Sequence, residues 1–451
     1  MQRPLKLSIH YPSLAWIMYG LFVLLTFLTP GWRVGPFTWV PILQGNLAGR
    51  PATVGVLALL LPAAVLVAVG QWVRSVGWRG QGWWRALQPW QITLPLVGLG
   101  LWVLVGLRPA AAPGTAFIVA TAVLLMWASY VWLARCPPAS VLYGLAGLFA
   151  LVMCVQGIVG TAQFWHQGSV GLAALGEPLL DPAVEAISVV GQPGAHHLRA
   201  YGLTAHPNVL GGLLTIGLLW VIGAASTATP RARIWWLLAI IPGLAGLLLT
   251  FSRAAWVGLA VGLAWLVWRG PQVRRWWLVL GVLLGAAIVA LAWWQPTLLW
   301  TRLFDLSAPL EARSLNERAQ YVAAALDVIR LHPWTGVGSG LYLHALPAAL
   351  GQTAVHNAPL LATAELGIVG GALWLWLNWA WLGVPWPARP KPGITATYTV
   401  FHVAVASWLA LFTIGLVDNY TWLTASWRAA IMVGLLAGAL AAAVRQRAET
   451  P

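Results

Sequence analysis

The sequence predicts an all-α protein that crosses a lipid bilayer about twelve times. Three observations predict it. Hydrophobic residues fill 60% of the 451 positions and charged residues only 8%, whereas an average soluble chain carries about 25% charged residues. The apolar residues fall in long unbroken runs, each near the ~20 residues that a helix needs to span a bilayer. The charges punctuate those runs instead of sharing one face. A closed β-barrel also satisfies backbone groups in lipid, but its sequence alternates over short strands, and this one does not.

The runs, in order, are 13–29, 51–70, 91–107, 115–134, 141–164, 208–225, 234–250, 254–268, 276–294, 366–386, 395–416 and 426–444. Arg3 and Lys6 precede the first run, and no small-residue cleavage site follows Leu28-Thr29-Pro30. It reads as a retained helix and not a removed signal. The break at Arg253 is the shortest between runs. With no repeat or soluble domain between them, residues 1–451 read as a single integral membrane domain.

Lys and Arg set the orientation. Arg3, Lys6, Arg74, Arg79, Arg85, Arg135, Arg231, Arg233, Arg269, Arg274, Arg275, Arg389, Lys391, Arg445 and Arg447 fall in one set of short loops. Short basic loops stay cytoplasmic, so both termini are expected there. The Asp and Glu residues except Glu449 fall on the other side or at its rim. The net charge of +15 is therefore a topology signal, not a nucleic-acid surface. The 32 tryptophans lie mostly near run ends, as interfacial belts require. Cys136 and Cys154 suggest neither a disulfide nor a metal or redox motif.

The outer side carries two long segments, 165–207 and 295–365. Loops of such length are usually functional or disordered. Within the second, 318–331 reads as an amphipathic helix. Val322, Ala325 and Ile329 line one face, Arg318 continues that face, and His332-Pro333 ends it. Gly336-Val337-Gly338-Ser339-Gly340 looks like a phosphate loop, but no strand precedes it. It reads as a tight turn that folds the outer segment back onto the membrane domain.

The chain is organised around Gln352-Thr353-Ala354-Val355-His356-Asn357-Ala358-Pro359, which leads from the second long segment into an apolar span. Asn357 suits an N-cap and Pro359 the first turn. His356 is either a loop-bonded histidine or a general base, the usual work of imidazole near neutral pH. Arg253, in Thr250-Phe251-Ser252-Arg253-Ala254, defies the inside bias of cations. It is either a snorkelling side chain or an anion clamp, since its planar fork donates bidentately to phosphate. Arg199 closes the first long segment ahead of Gly202, His206, Pro207 and Asn208. Gly202 permits a tight turn and Asn208 can cap a helix. His196, His197 and His206 lack a nearby carboxylate pair, so no metal site is expected. Asp418 either orients a cation such as Arg253 or Arg199 or ends a helix. Arg199, Arg253 and His356 are expected to share one polar site on the outer face.

Together these stretches resemble the O-antigen ligase and polymerase superfamily. The matching pieces are Arg199-x-x-Gly202 with His206-Pro207-Asn208, then Thr250-x-Ser252-Arg253-Ala254. Arg318 follows, leading to His332-Pro333-Trp334-x-Gly336-Val337-Gly338, and last comes His356-Asn357 leading to Glu365-x-Gly367-x-x-Gly370. The resemblance covers about residues 199–371, and the first five runs match only in being apolar. It implies a twelve-helix, metal-independent glycosyltransferase of the C type with no cofactor, in the bacterial cytoplasmic membrane. The donor would be a glycan on a polyprenyl (undecaprenyl) diphosphate. The acceptor would be a glycan, glycolipid or protein. Arg199 and Arg253 would hold the diphosphate, Arg318 would add a phosphate or headgroup contact, and His356 would deprotonate the acceptor hydroxyl. Asn357, His206, Asn208, Ser252 and Asp418 would support them.

Two other classes compete. A bicarbonate-carrier-like transporter should break helices and place ionisable residues near the bilayer midplane. A lipid-linked glycan flippase should line a charged path from side to side. Here the charges collect at run ends, and His402 is the one strongly polar titratable residue expected well inside a run.

Overall fold

The computed structural model describes residues 14–28, 33–34, 37–38, 89–184, 187–191, 196–269, 281–282, 285–286, 288–290, 292–303, 309–347, 350, 353–386 and 395–449. The expected run 51–70, part of 276–294, Gln352 and the basic positions Arg3, Lys6, Arg74, Arg79, Arg85, Arg274, Arg275, Arg389 and Lys391 lie outside them.

Among the described residues the chain is mostly helical. The main helices are α1 (Leu14–Leu28), α2 (Trp90–Val105), α3 (Pro113–Ala134), α4 (Pro138–His166), α5 (Pro207–Thr227), α6 (Pro230–Leu249), α7 (Arg253–Arg269), α8 (Pro296–Leu303), α9 (Pro309–Leu331), α10 (Ala358–Trp379), α11 (Thr395–Gly415) and α12 (Trp427–Glu449). Seven helical segments among these residues are long and apolar enough to cross a membrane. α1, α2 and α7 are shorter, at 15, 16 and 17 residues. Prolines open α3, α4, α5 and α6 at their first turns, where the missing N–H costs nothing. The strands are two-residue pairs, β1 (Arg33–Val34) with β2 (Phe37–Thr38) and β3 (Val189–Val190) with β4 (His197–Leu198).

α5 lies at the centre, because it is apolar on every side and nearly every residue is buried. α4, α6, α7 and α11 surround it. α12 runs along α3, with Gly434 against the Met126 carbonyl and Gly438 against that of Tyr130. Gly258 and Gly262 likewise bring α7 to the backbone of α11. Small residues are what let helices approach where lipid removes most of the hydrophobic drive.

Two boundaries differ from expectation. The run placed at 366–386 begins instead at Ala358, because Asn357 caps the helix by accepting from the Leu360 amide at 2.8 Å. Glu365 therefore lies two turns inside α10 and is 4% exposed. It is a second titratable group within a span, beside His402. Trp422 Nε1 donates to it at 3.0 Å and Thr424 Oγ1 at 2.8 Å, so its polarity is spent locally. The amphipathic helix expected at 318–331, α9, also starts earlier, at Pro309. Ala325 and Val328 on it are buried, and Arg318 is half-buried on the same face.

The glycine turn folds back as expected, and it locks into a kink. Gly367 interrupts α10 at φ 71° and ψ −176°. Val337 N donates to the Ala364 carbonyl at 3.0 Å, Gly338 N to that of Glu365 at 2.9 Å, and Ile368 N to that of Pro333 at 2.7 Å. Ser339 N reaches the Gly106 carbonyl at the end of α2, at 3.0 Å. The turn thus supplies partners for backbone that the kink frees, a requirement inside lipid. A β-carbon on Gly336, at φ 63°, would stand 2.3 Å from the Glu365 carbonyl. Gly336→Ala is therefore expected to lose folded protein, since backbone faces it and the left-handed conformation alone costs roughly 1–2 kcal/mol. Size-exclusion recovery in detergent measures this, and wild-type recovery would refute the interlock.

Two glutamines of α4 hold described residues of the first long segment. Gln156 Nε2 donates to the Phe27 and Leu28 carbonyls at 2.9 and 2.7 Å, and its Oε1 accepts from Leu203 N at 2.7 Å. Gln163 Nε2 donates to Glu177 and to the Gly202 carbonyl. Glu177 also accepts from Val170 N and Leu172 N, at 2.7 and 2.6 Å.

Candidate active site

Arg199 follows β4 and is 5% exposed. The Ala200 amide donates to the Leu249 carbonyl at 2.9 Å, tying this stretch to the end of α6. Arg199 Nε donates to the Thr250 carbonyl at 2.7 Å, and an Nη donates to Asn208 Oδ1 at 2.7 Å. Asn208 Nδ2 in turn donates to Asp418 at 2.7 Å, and the Asn419 amide donates to the same carboxylate at 2.8 Å. One amide thus joins a buried arginine to a buried carboxylate that lies 210 positions beyond the amide. Asn208 sits in the first turn of α5, but the cap is His206, whose Nδ1 accepts from the Asn208 amide. His206 Nε2 pairs with Ser188 at 2.9 Å. Burial, then the Arg199 charge, hold His206 down to about 3, so it stays neutral and can accept.

His356 precedes the cap of α10. Asn357 also donates to the Leu416 carbonyl at 2.8 Å, which ties the start of α10 to the end of α11. The His356 ring lies 6.3 Å from that of Tyr321 on α9. Its Nδ1 is buried without a hydrogen-bond partner among the described residues. Burial is the largest influence and lowers its pKa. The Asp418 carboxylate acts against that, Arg318 with it, and Glu317 against it, and the net direction is down. An imidazole so placed is neutral near pH 7 and has a ring nitrogen uncommitted to the protein.

Arg253 opens α7, and an Nη donates to the Arg302 carbonyl at 3.2 Å. Arg302, on α8, donates from Nε to the Phe251 carbonyl at 2.9 Å. Phe251 holds φ 47°, an uncommon conformation for a bulky residue. Ser252, between them, is buried, and its Oγ has no partner among the described residues. The charges of Arg302 and Arg318 both reach His206.

The structure therefore brings Arg199, His206, Asn208, Ser252, Arg253, Arg318, His356, Asn357 and Asp418 to one pole of the bundle. Asp418 meets Arg199 through Asn208, and it neither ends α11, which stops at Gly415, nor caps a helix. His197 and His206 diverge. His197 stacks on Phe164 at 6.2 Å while His206 caps α5. Sequence reasoning missed Arg302, although it is a cation of the 295–365 segment, expected on the same side as Arg253 and against the same charge bias. It also missed Gln156 and Gln163, seven positions apart in an apolar run, a spacing that puts both on one helix face.

Residues 237–375 match the sequence model of the O-antigen ligase family. No curated protein matches the chain. The matched segment runs from α6 to beyond the kink of α10 and contains Ser252, Arg253, Arg302, Arg318 and His356. Arg199, His206 and Asn208 precede it and Asp418 follows it, so the fold completes the cluster from outside the matched segment. Together with the apolar helices, that match over 237–375 supports the O-antigen ligase and polymerase superfamily.

Proposed function

We propose that the protein transfers or polymerises a glycan from a polyprenyl diphosphate donor onto an acceptor hydroxyl, in cell-surface polysaccharide synthesis. The family match supports glycan transfer or polymerisation in that setting. The observation that carries the finer reading is the pairing of a neutral, uncommitted His356 with a pole rich in arginine. The basic loops at the opposite pole support an extracytoplasmic site in a bacterial cytoplasmic membrane.

In this mechanism the acceptor O–H gives its proton to His356 as its oxygen attacks the anomeric carbon from the face opposite the leaving group. The bond from that carbon to the diphosphate breaks, and its electron pair goes to the phosphate oxygen. Arg199 and Arg253 stabilise the growing charge with preorganised donors. The anomeric centre inverts. Arginine supplies the positive charge that a divalent cation supplies elsewhere, so turnover should survive a chelator. Asp418 faces His356 and stabilises the imidazolium formed.

The test is transfer in proteoliposomes from a polyprenyl-diphosphate-linked glycan, with EDTA present. Lengthened glycan or modified acceptor supports the reading, and product size separates polymerase from ligase. No product with any donor and acceptor would sink it and revive the transporter. The pH profile adds a prediction. A base must be neutral, and burial lowers its pKa below the ordinary 6.5. The acid limb of kcat/KM should therefore have its midpoint below 6.5, and a midpoint above it would exclude His356 in this environment.

A further inference from the structure

The α6–α7 turn presents Arg253, and it is held from within by Phe251 N donating to the Leu248 carbonyl at 3.0 Å and Ser252 N to Thr250 Oγ1 at 3.3 Å, and from outside by further contacts. Phe251 is bulky and holds a left-handed φ of 47°, a conformation that persists where surrounding contacts over-determine it. One of those contacts comes from α8. Arg302 Nε donates to the Phe251 carbonyl at 2.9 Å, and the Arg302 carbonyl accepts from the Arg253 guanidinium at 3.2 Å. The clasp is thus reciprocal. The side chain of one arginine fixes the turn, and its backbone receives the other arginine. α8 belongs to the second outer segment, 49 positions beyond Arg253, so the clasp also sets where that segment meets the membrane domain.

We propose that Arg302 is a positioning residue that holds Arg253 and the 250–253 turn in the geometry required for donor binding. This rests on the reading of Arg253 as a diphosphate ligand. Arg302 acts through Nε, as an N–H donor to a carbonyl, and not through its charge on the donor.

That distinction is testable, because Gln Nε2 is as many bonds from the backbone as Arg Nε. Arg302→Gln keeps the donor and loses the charge, whereas Arg302→Ala loses both. Donor KM and kcat would be measured in proteoliposomes for Arg302→Ala, Arg302→Gln, Arg253→Ala and the Arg253→Ala/Arg302→Ala double variant. Arg253→Ala should raise donor KM by about 10- to 100-fold, the range for a hydrogen bond to a charged group. Arg302→Ala should shift KM in the same direction with kcat changed less. Arg302→Gln should restore most of the loss. The double variant should be no worse than Arg253→Ala, because a residue acting through another is not additive with it. Arg302→Gln as poor as alanine, or fully additive losses, would overturn the proposal.

Hydrogen exchange across 249–256 separates this proposal from the reading it rests on. Exchange there should quicken in Arg302→Ala and not in Arg302→Gln, and unchanged exchange in Arg302→Ala would refute the clasp. A silent Arg253→Ala with quickened exchange in Arg302→Ala would remove Arg253 from the donor site and leave the clasp standing as a structural contact, which overturns the positioning role for donor binding.

Discussion

His356→Ala should lower kcat by about a hundredfold to ten-thousandfold, the usual worth of a general base, while the protein folds normally. The two halves of that expectation have separate causes. His356 Nδ1 has no partner among the described residues, so its removal leaves no bonded group stranded. The start of α10 is held by Asn357, which caps Leu360 and binds the Leu416 carbonyl, and not by its neighbour. The measurement is initial rate at saturating donor alongside thermal unfolding in detergent. A catalytic base predicts lost turnover, an unchanged melting temperature and little change in donor KM. Turnover within about threefold of wild type would remove the histidine from the chemistry. A collapse of stability would show that it had been structural.

Arg199 should behave differently, losing activity and stability together. It is 5% exposed and donates to the Thr250 carbonyl and Asn208 Oδ1. Alanine there would leave both acceptors buried and unpaired, at roughly 1–3 kcal/mol each. It would also free the Asn208 amide to rotate, and with it the contact to Asp418. Arg199→Lys is the sharper probe. Lysine keeps the charge but not the planar fork that serves two acceptors in different directions. It should therefore recover little of either property. Full rescue by lysine would mean that charge alone matters at this position and would dismantle the Arg199–Asn208–Asp418 relay. The same relay predicts that Asn208→Ala costs activity without removing any charged group.

The contrast between these residues shows how the site is made. Arg253 and Arg302 meet across a single strained turn, whereas Arg199 reaches Asp418 only through an amide on the central helix. His356 depends on both the cap of α10 and the end of α11. No local stretch contains the site. Its parts come from the stretch after β4, α5, the α6–α7 turn, α8, α9, the start of α10 and the turn after α11.

Much of this was legible in sequence because lipid leaves few choices. Without water to satisfy the backbone, apolar runs of span length form helices, and the runs alone fixed most helices to within a few residues. Arg199, Arg253 and His356 stood out because each polar side chain at the edge of an apolar run needs a reason to be there. The boundary at Ala358 was missed for a related cause. Glu365 reads as the end of a polar segment by hydropathy, but within α10 its Oε2 accepts from both Trp422 and Thr424, partners 57 and 59 positions away. Arg302, Gln156 and Gln163 were missed likewise, because most of their partners are backbone groups, and a backbone group leaves no mark in a sequence. The sequence by itself determined most of the helices, the residue types of the proposed phosphate-and-base site and their order along the chain. Only the tertiary structure decided which of those residues meet, because side-chain hydrogen bonds and the close approach of glycine backbone act over about 3 Å, between segments whose separation along the chain sets no distance in space.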